Sequence, residues 1–193
     1  MDNIKKRIDE ATELFQRISQ SSSLLQGINE IVDQIVETFR GDGKVLLCGN
    51  GGSAADAQHL AAEFSGRFYY DRAPLFAEAL HVNTSYITAV GNDYGYEEIY
   101  ERLVRAKGRV GDVLIGLSTS GNSPNVIKAI EYANSIGMNT IGLTGEGECK
   151  MKGICKHLIA VPSSDTPRIQ EAHIMIGHII CELVEKELFP ENK

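Results

Sequence analysis

The sequence predicts an α/β fold: a five-stranded parallel sheet flanked by helices, with two further N-terminal helices ahead of it. Three observations carry this expectation. Short apolar runs of strand length alternate with helical stretches from residue 45 onward. That alternation implies parallel pairing, because each crossover between parallel strands needs a helix to bring the chain back. Two amphipathic stripes precede the first strand, and no stretch rich in Pro, Gly or Ser divides the 193 residues. One domain is expected, with 1–43 used in assembly and 44–189 forming the sheet and its flanking helices.

The elements follow in order. Ile4, Ile8, Ala11, Leu14, Phe15 and Ile18 recur at helical spacing and predict the first helix. Serines 21–23 interrupt it. Leu25, Ile28, Val32, Ile35, Val36 and Phe39 predict the second helix. Gly41-Asp42-Gly43 is expected to stop it, a glycine taking the left-handed conformation at its end. Strands are expected over 45–48, 77–82, 113–117, 140–143 and 157–161. Helices are expected over 54–65, over 85–90 with 97–107, over 124–136 and near Lys150. The last helix is expected over 167–188, with Pro167 suited to its first turn.

Composition narrows the function classes. Hydrophobic residues make up 42% and charged residues 23%, which excludes a disordered tail. The net charge is −7, opposite in sign to what a phosphate-neutralising footprint needs, so no nucleic-acid partner is expected. An anionic small molecule stays open, because backbone N–H groups at a helix N-terminus hold it without net positive charge. No apolar run approaches the roughly 20 residues of a membrane span, so no membrane partner is expected. MDNIKKRIDE lacks the apolar region of a signal peptide. Cys48, Cys149, Cys155 and Cys181 form no CxxC pair and read as reduced thiols in the cytoplasm. Cys48 reads as a small core residue, since no histidine is fixed beside it.

Five segments stand out. Cys48-Gly49-Asn50-Gly51-Gly52-Ser53 leads from a strand into a helix, and its glycines bare backbone N–H groups to a ligand. Gly49-x-Gly51-x-x-Ala54 also fits a dinucleotide fingerprint, but the second strand ends His81-Val82-Asn83 without the required acid. A purely structural tight turn is the other alternative. Ser118-Thr119-Ser120-Gly121-Asn122-Ser123, followed by Pro124, offers four hydroxyls at a fresh helix N-terminus, a neutral cradle for phosphate. A cap at Ser123 would explain one of those hydroxyls and not the other three. His59 and Glu63 share a helix face and suit a divalent metal or a proton-transfer pair, against a plain surface pair as the alternative. In the last helix, Gln170, Glu171, His173 and His178 lie among Ile169, Ile174, Ile176, Ile179, Ile180 and Leu183 and therefore need partners. A hydrogen-bonded core histidine is the alternative to a ligand there. Gly91-Asn92-Asp93-Tyr94-Gly95 predicts a turn.

Together these segments resemble a known family. The STSGNS loop within 113–127 resembles that of a sugar isomerase (SIS) domain. With GNGGSAADAQH, AVGNDYG and PRIQEAH, nearly the whole chain resembles the phosphoheptose isomerases. The resemblance implies conversion of sedoheptulose 7-phosphate to D-glycero-D-manno-heptose 7-phosphate, the first step toward bacterial heptose nucleotides. It implies a cytoplasmic homotetramer with zinc, one per subunit. By the same resemblance, His59, Glu63, Gln170 and His178 bind the zinc, Glu63 is the catalytic base and His178 the general acid. Asn50, Gly51, Gly52, Asn92, Asp93, Ser118, Thr119, Ser120 and Ser123, with Glu63 and Gln170, hold the phosphorylated seven-carbon sugar.

A carboxylate cannot be a tight ligand and a free base at once, so the roles of Glu63 would alternate. Gln170 and His178 lie about 12 Å apart along a helix and are rotated by roughly 80°. One metal bridges them only if both lean inward, so more than one chain is expected to wall each site. The rival reading is a non-catalytic SIS-fold module that associates with the replication initiator or senses sugar phosphates. Initiator-binding relatives lack the glutamate and the last histidine, whereas this chain has both Glu63 and His178.

Overall fold

In the computed structural model, which describes residues 1–190, the two N-terminal stripes fold as α1 (Asp2–Gln20) and α2 (Ser22–Arg40). Ser21 alone separates them, its hydroxyl accepting from the Leu24 N–H at 3.4 Å as the N-cap of α2. The end of α2 differs from expectation. Gly41 has φ −85°, and Asp42 takes the left-handed conformation at φ 59°. A short polar side chain tolerates that region. Gly43 serves close approach instead: its N–H donates to the Thr38 carbonyl at 2.9 Å, and a Cβ there would stand 2.8 Å from Thr38 Cγ2.

Five strands then pair entirely in parallel: β1 (Val45–Gly49), β2 (Ala77–Ala79), β3 (Val113–Leu117), β4 (Asn139–Thr144) and β5 (His157–Ala160). The sheet order is β2-β1-β3-β4-β5. Every residue of β1 and β3 is buried, as parallel strands covered on both faces must be. Val45, Leu47, Val113, Ile115 and Leu117 face one apolar layer. That layer contains α1, α2, α3 (Gly52–Ser65) and α8 (Thr166–Leu188). Leu46, Cys48 and Leu114 face the other layer, built by α4 (Thr84–Asp93), α5 (Ile99–Lys107), α6 (Pro124–Ser135) and α7 (Met151–Ile154). Cys48 is a core residue, its thiol pKa pushed up by burial.

β2 is shorter than its apolar run. It is an edge strand, paired with β1 alone; one more bond, Leu80 N–H to the Leu47 carbonyl at 2.9 Å, ends the ladder. Asn83 then turns the chain out by capping α4, its Oδ1 accepting from the Tyr86 N–H at 3.0 Å. α4 continues through Asp93, so Asn92 and Asp93 occupy its last turn instead of an open turn. The reversal comes afterwards, at Gly95 with φ 99°.

The strand order positions the site. α3 leaves β1 toward one face of the sheet and α6 leaves β3 toward the other. A crevice therefore opens between the carboxyl ends of β1 and β3, where open α/β sheets take their ligands. Among the described residues, no helix is long and apolar enough to cross a membrane.

Candidate active site

Two loops line that crevice. After β1, Gly51 adopts φ 56° and α3 begins, so the positive end of the helix dipole faces this loop. After β3, the Ser118 hydroxyl meets Ser123 Oγ at 2.9 Å and Ser120 Oγ at 3.4 Å. Ser123 occupies the N-cap position of α6 without a side-chain cap bond. Its hydroxyl belongs to the serine cluster, which removes the simple capping explanation. Gly121, at φ 63°, packs where a Cβ would strike Cys149 Sγ at 2.5 Å and Thr144 Oγ1 at 2.7 Å, so only glycine allows this turn.

The loops are tied together by side chains. Asn50 and Asn125 exchange two amide bonds, each 2.9 Å. Asn125 is buried, and its Oδ1 also accepts from the Val126 N–H at 3.0 Å. Tyr96 Oη donates to Asn50 Oδ1 at 3.1 Å. Below them the Tyr100 hydroxyl donates to the Gly49 carbonyl.

A second cluster lies between α3 and α8, which run side by side in the same direction. Gly177 allows their approach: a Cβ there would stand 2.6 Å from both Leu60 methyl carbons. On this contact His59 Nε2 lies 2.8 Å from His178 Nε2 and 3.2 Å from Glu63 Oε1. The donor atoms of the three residues lie within 4.8 Å of one another. Ligands on a tetrahedral zinc, bonded at about 2.0–2.1 Å, stand roughly 3.3 Å apart. Two imidazoles and a carboxylate at these separations fit that ion. Asp56, one turn before His59, has a carboxyl pKa raised by burial and partly restored by His59, and its Oδ2 has no hydrogen-bond partner.

The SIS domain family model matches residues 8–145. The phosphoheptose isomerase of Clostridium acetobutylicum is 52% identical, over 98% of this chain and 96% of its own length. That of Rhodospirillum rubrum is also 52% identical, over 97% and 98%. This chain belongs to the phosphoheptose isomerase family. The solved structure of the Neisseria gonorrhoeae phosphoheptose isomerase superposes with a TM-score of 0.90 at 40% identity, covering 96% of this chain and 98% of that one.

Within this family frame, the structure gathers some of the expected residues and separates others. Ser118, Ser120 and Ser123 converge, with Thr119 in the same loop giving its carbonyl to the Gly145 N–H at 3.1 Å. His59, Glu63 and His178 converge at the second cluster. Gln170 stands at the level of the first loop: its amide packs on Gly52, whose Cβ would lie 2.6 Å from Nε2. Asn92 and Asp93 bond to each other at 2.9 Å, and among the described residues their side chains bond to neither loop. His173 is the core histidine of α8, fully buried with Nε2 3.2 Å from the Thr144 carbonyl. Burial lowers its pKa to about 4. Asn125 and Tyr96 escaped sequence reasoning, because each matters only through Asn50, a distant residue.

Proposed function

We propose that this chain is an aldose–ketose isomerase converting D-sedoheptulose 7-phosphate to D-glycero-D-manno-heptose 7-phosphate. The observation that carries this is the convergence of His59, Glu63 and His178, in a chain half identical to phosphoheptose isomerases. The serine loop would hold the phosphate through neutral donors and the α6 N-terminus. Asn50, Gly51 and Gly52, with Gln170 and with Asn92 and Asp93 from α4, would contact the sugar. Binding energy from the remote phosphate then orients the reacting carbons.

Glu63 would take a proton from C1 of the ketose and return it to C2. His178 would protonate O2 and remove the proton from O1, so the exchange passes through an enediol. His59, Glu63 and His178, with Gln170 as the resemblance implies, are the residues for zinc, one per subunit. When bound, the ion would polarise the substrate carbonyl. Glu63 and His178 each act as ligand or as proton carrier at a given moment, not both.

The whole chain reads as one SIS domain working in a homotetramer, with 1–43 in assembly. A groove of about 910 Å³ along α1, lined by Ile4, Ile8, Phe15 and Arg168, supports that use of the N-terminal helix. Free thiols at Cys48, Cys149, Cys155 and Cys181 suit the cytoplasm. Purified protein incubated with sedoheptulose 7-phosphate is expected to yield the aldose. Glu63→Gln, which keeps shape but cannot accept a carbon-bound proton, should lower kcat by about 10²–10⁴-fold. Absence of any aldose from the wild-type protein would sink the activity; wild-type rates in Glu63→Gln would move the base elsewhere.

A further inference from the structure

We propose that Glu185 and Arg72 are a positioning pair that sets the spacing between Glu63 on α3 and His178 on α8. The proposal rests on the reading that those two groups move the protons. Glu185 lies seven residues beyond His178, about two turns on and on the same helix face. Its side chain is 1% exposed. The carboxylate accepts from three consecutive backbone N–H groups, Phe68 at 2.9 Å, Tyr69 at 2.6 Å and Tyr70 at 3.1 Å. Arg72 Nε donates to it as well, at 2.9 Å.

Arg72, only 3% exposed in its side chain, directs its other donors mainly at the end of α3, with one Nη1 bond to the Ala73 carbonyl at 3.1 Å. Nη2 donates to the Glu63 carbonyl at 3.0 Å, and Nη1 to those of Phe64 at 2.7 Å and Gly66 at 3.2 Å. The last carbonyls of a helix have no partner within it. Arg72 supplies that partner, and the backbone of Glu63 is one of the groups it holds. Phe68, anchored by Glu185 through its N–H, carries its ring to 5.9 Å from that of His178. The imidazole of His178 also lies 5.0 Å from that of His59.

A buried ion pair is weak evidence for stability, because desolvation offsets much of the attraction. What the guanidinium fork and a two-oxygen acceptor provide is direction. Here that direction is applied to the end of α3 and the matching turn of α8, the elements bearing Glu63 and His178. The serine loop lies outside this network. Its loosening should therefore appear in kcat and leave KM nearly unchanged.

Glu185→Asp keeps the charge and shortens the side chain by a methylene. It is expected to lower kcat for sedoheptulose 7-phosphate by about 10- to 100-fold, with KM within about threefold of wild type, as small misplacements of reacting groups do. Circular dichroism at the assay temperature should match wild type. Phe68→Leu leaves every backbone bond to Glu185 in place and removes only the ring beside His178. It should give a smaller fall in kcat at unchanged KM, and it serves should Glu185→Asp fail to fold. Unchanged kcat in either folded variant, or a loss that tracks the folded fraction alone, overturns the proposal. Glu63→Gln assayed alongside separates the two readings. Slow Glu63→Gln with unimpaired Glu185→Asp overturns positioning only, whereas fast Glu63→Gln overturns the proton-transfer assignment and positioning with it.

Discussion

Ser120 is the residue at which the proposed anion site is most directly tested. The loop has hydroxyls and a helix N-terminus but no cation of its own, so a single added negative charge has nothing to offset it. If the loop holds the phosphate as proposed, Ser120→Asp sets a carboxylate against it, and the repulsion should raise KM by roughly tenfold or more while leaving the fold intact. Steady-state kinetics with the sugar phosphate measure this, and an unchanged KM would remove the loop from phosphate binding. Residues of this kind were legible in the sequence because their chemistry is local: four hydroxyls within six positions announce themselves. Asn125 was not. Its role is to satisfy Asn50, 75 positions away, and nothing in the Pro124-Asn125 neighbourhood marks that bond.

At the scale of elements, α8 carries two buried groups that titrate in acid, His173 and Glu185, and their signs predict how it fails there. The unfolded chain protonates His173 near its ordinary value of 6.5, whereas burial delays this in the fold to about 4. Stability from this group is full above 6.5 and is lost as pH falls toward 4, by on the order of 3 kcal/mol. For Glu185, burial acts to raise the pKa. Bonds from the Phe68, Tyr69 and Tyr70 N–H groups and from Arg72 outweigh it, leaving the carboxyl below its ordinary 4.5. Its contribution is present above 4.5 and disappears as pH falls through the lowered value. Urea midpoints should therefore decline in the wild type between about pH 6.5 and about pH 4, and less steeply in His173→Gln. Equal slopes in both proteins would show that His173 is not the group responsible. Helices and central strands were readable from apolar period alone. Their ends were not, because ends answer to contacts: Thr38 against Gly43 closes α2, and the lack of an outer partner shortens β2.

At the scale of the molecule, α1 is half spoken for. Leu14 and Ile18 are buried, while Ile4 is 68% and Ile8 60% exposed, a stripe suited to another copy of the chain. Deleting residues 1–22 should lower the mass seen by light scattering and remove bound zinc and activity together. Ile4→Glu with Ile8→Glu should do the same without uncovering α8. A fully active, zinc-loaded monomer would refute sites shared between chains, and a tetramer that keeps its metal would refute only the role given to α1. The parallel sheet was legible because strand and helix alternate; the pairing of the first helices with the last was not, since no local pattern names a partner more than a hundred residues away. That pairing has a consequence for synthesis. α2 and α3 are made early, yet the helix that covers their apolar faces, α8, is the last described element to leave the ribosome. At about 5–20 residues per second the wait is on the order of ten seconds. During it the nascent chain holds α2 and α3 against a growing sheet with the strip that α8 later fills open to water, and a cell that makes this protein must shield that strip until α8 arrives.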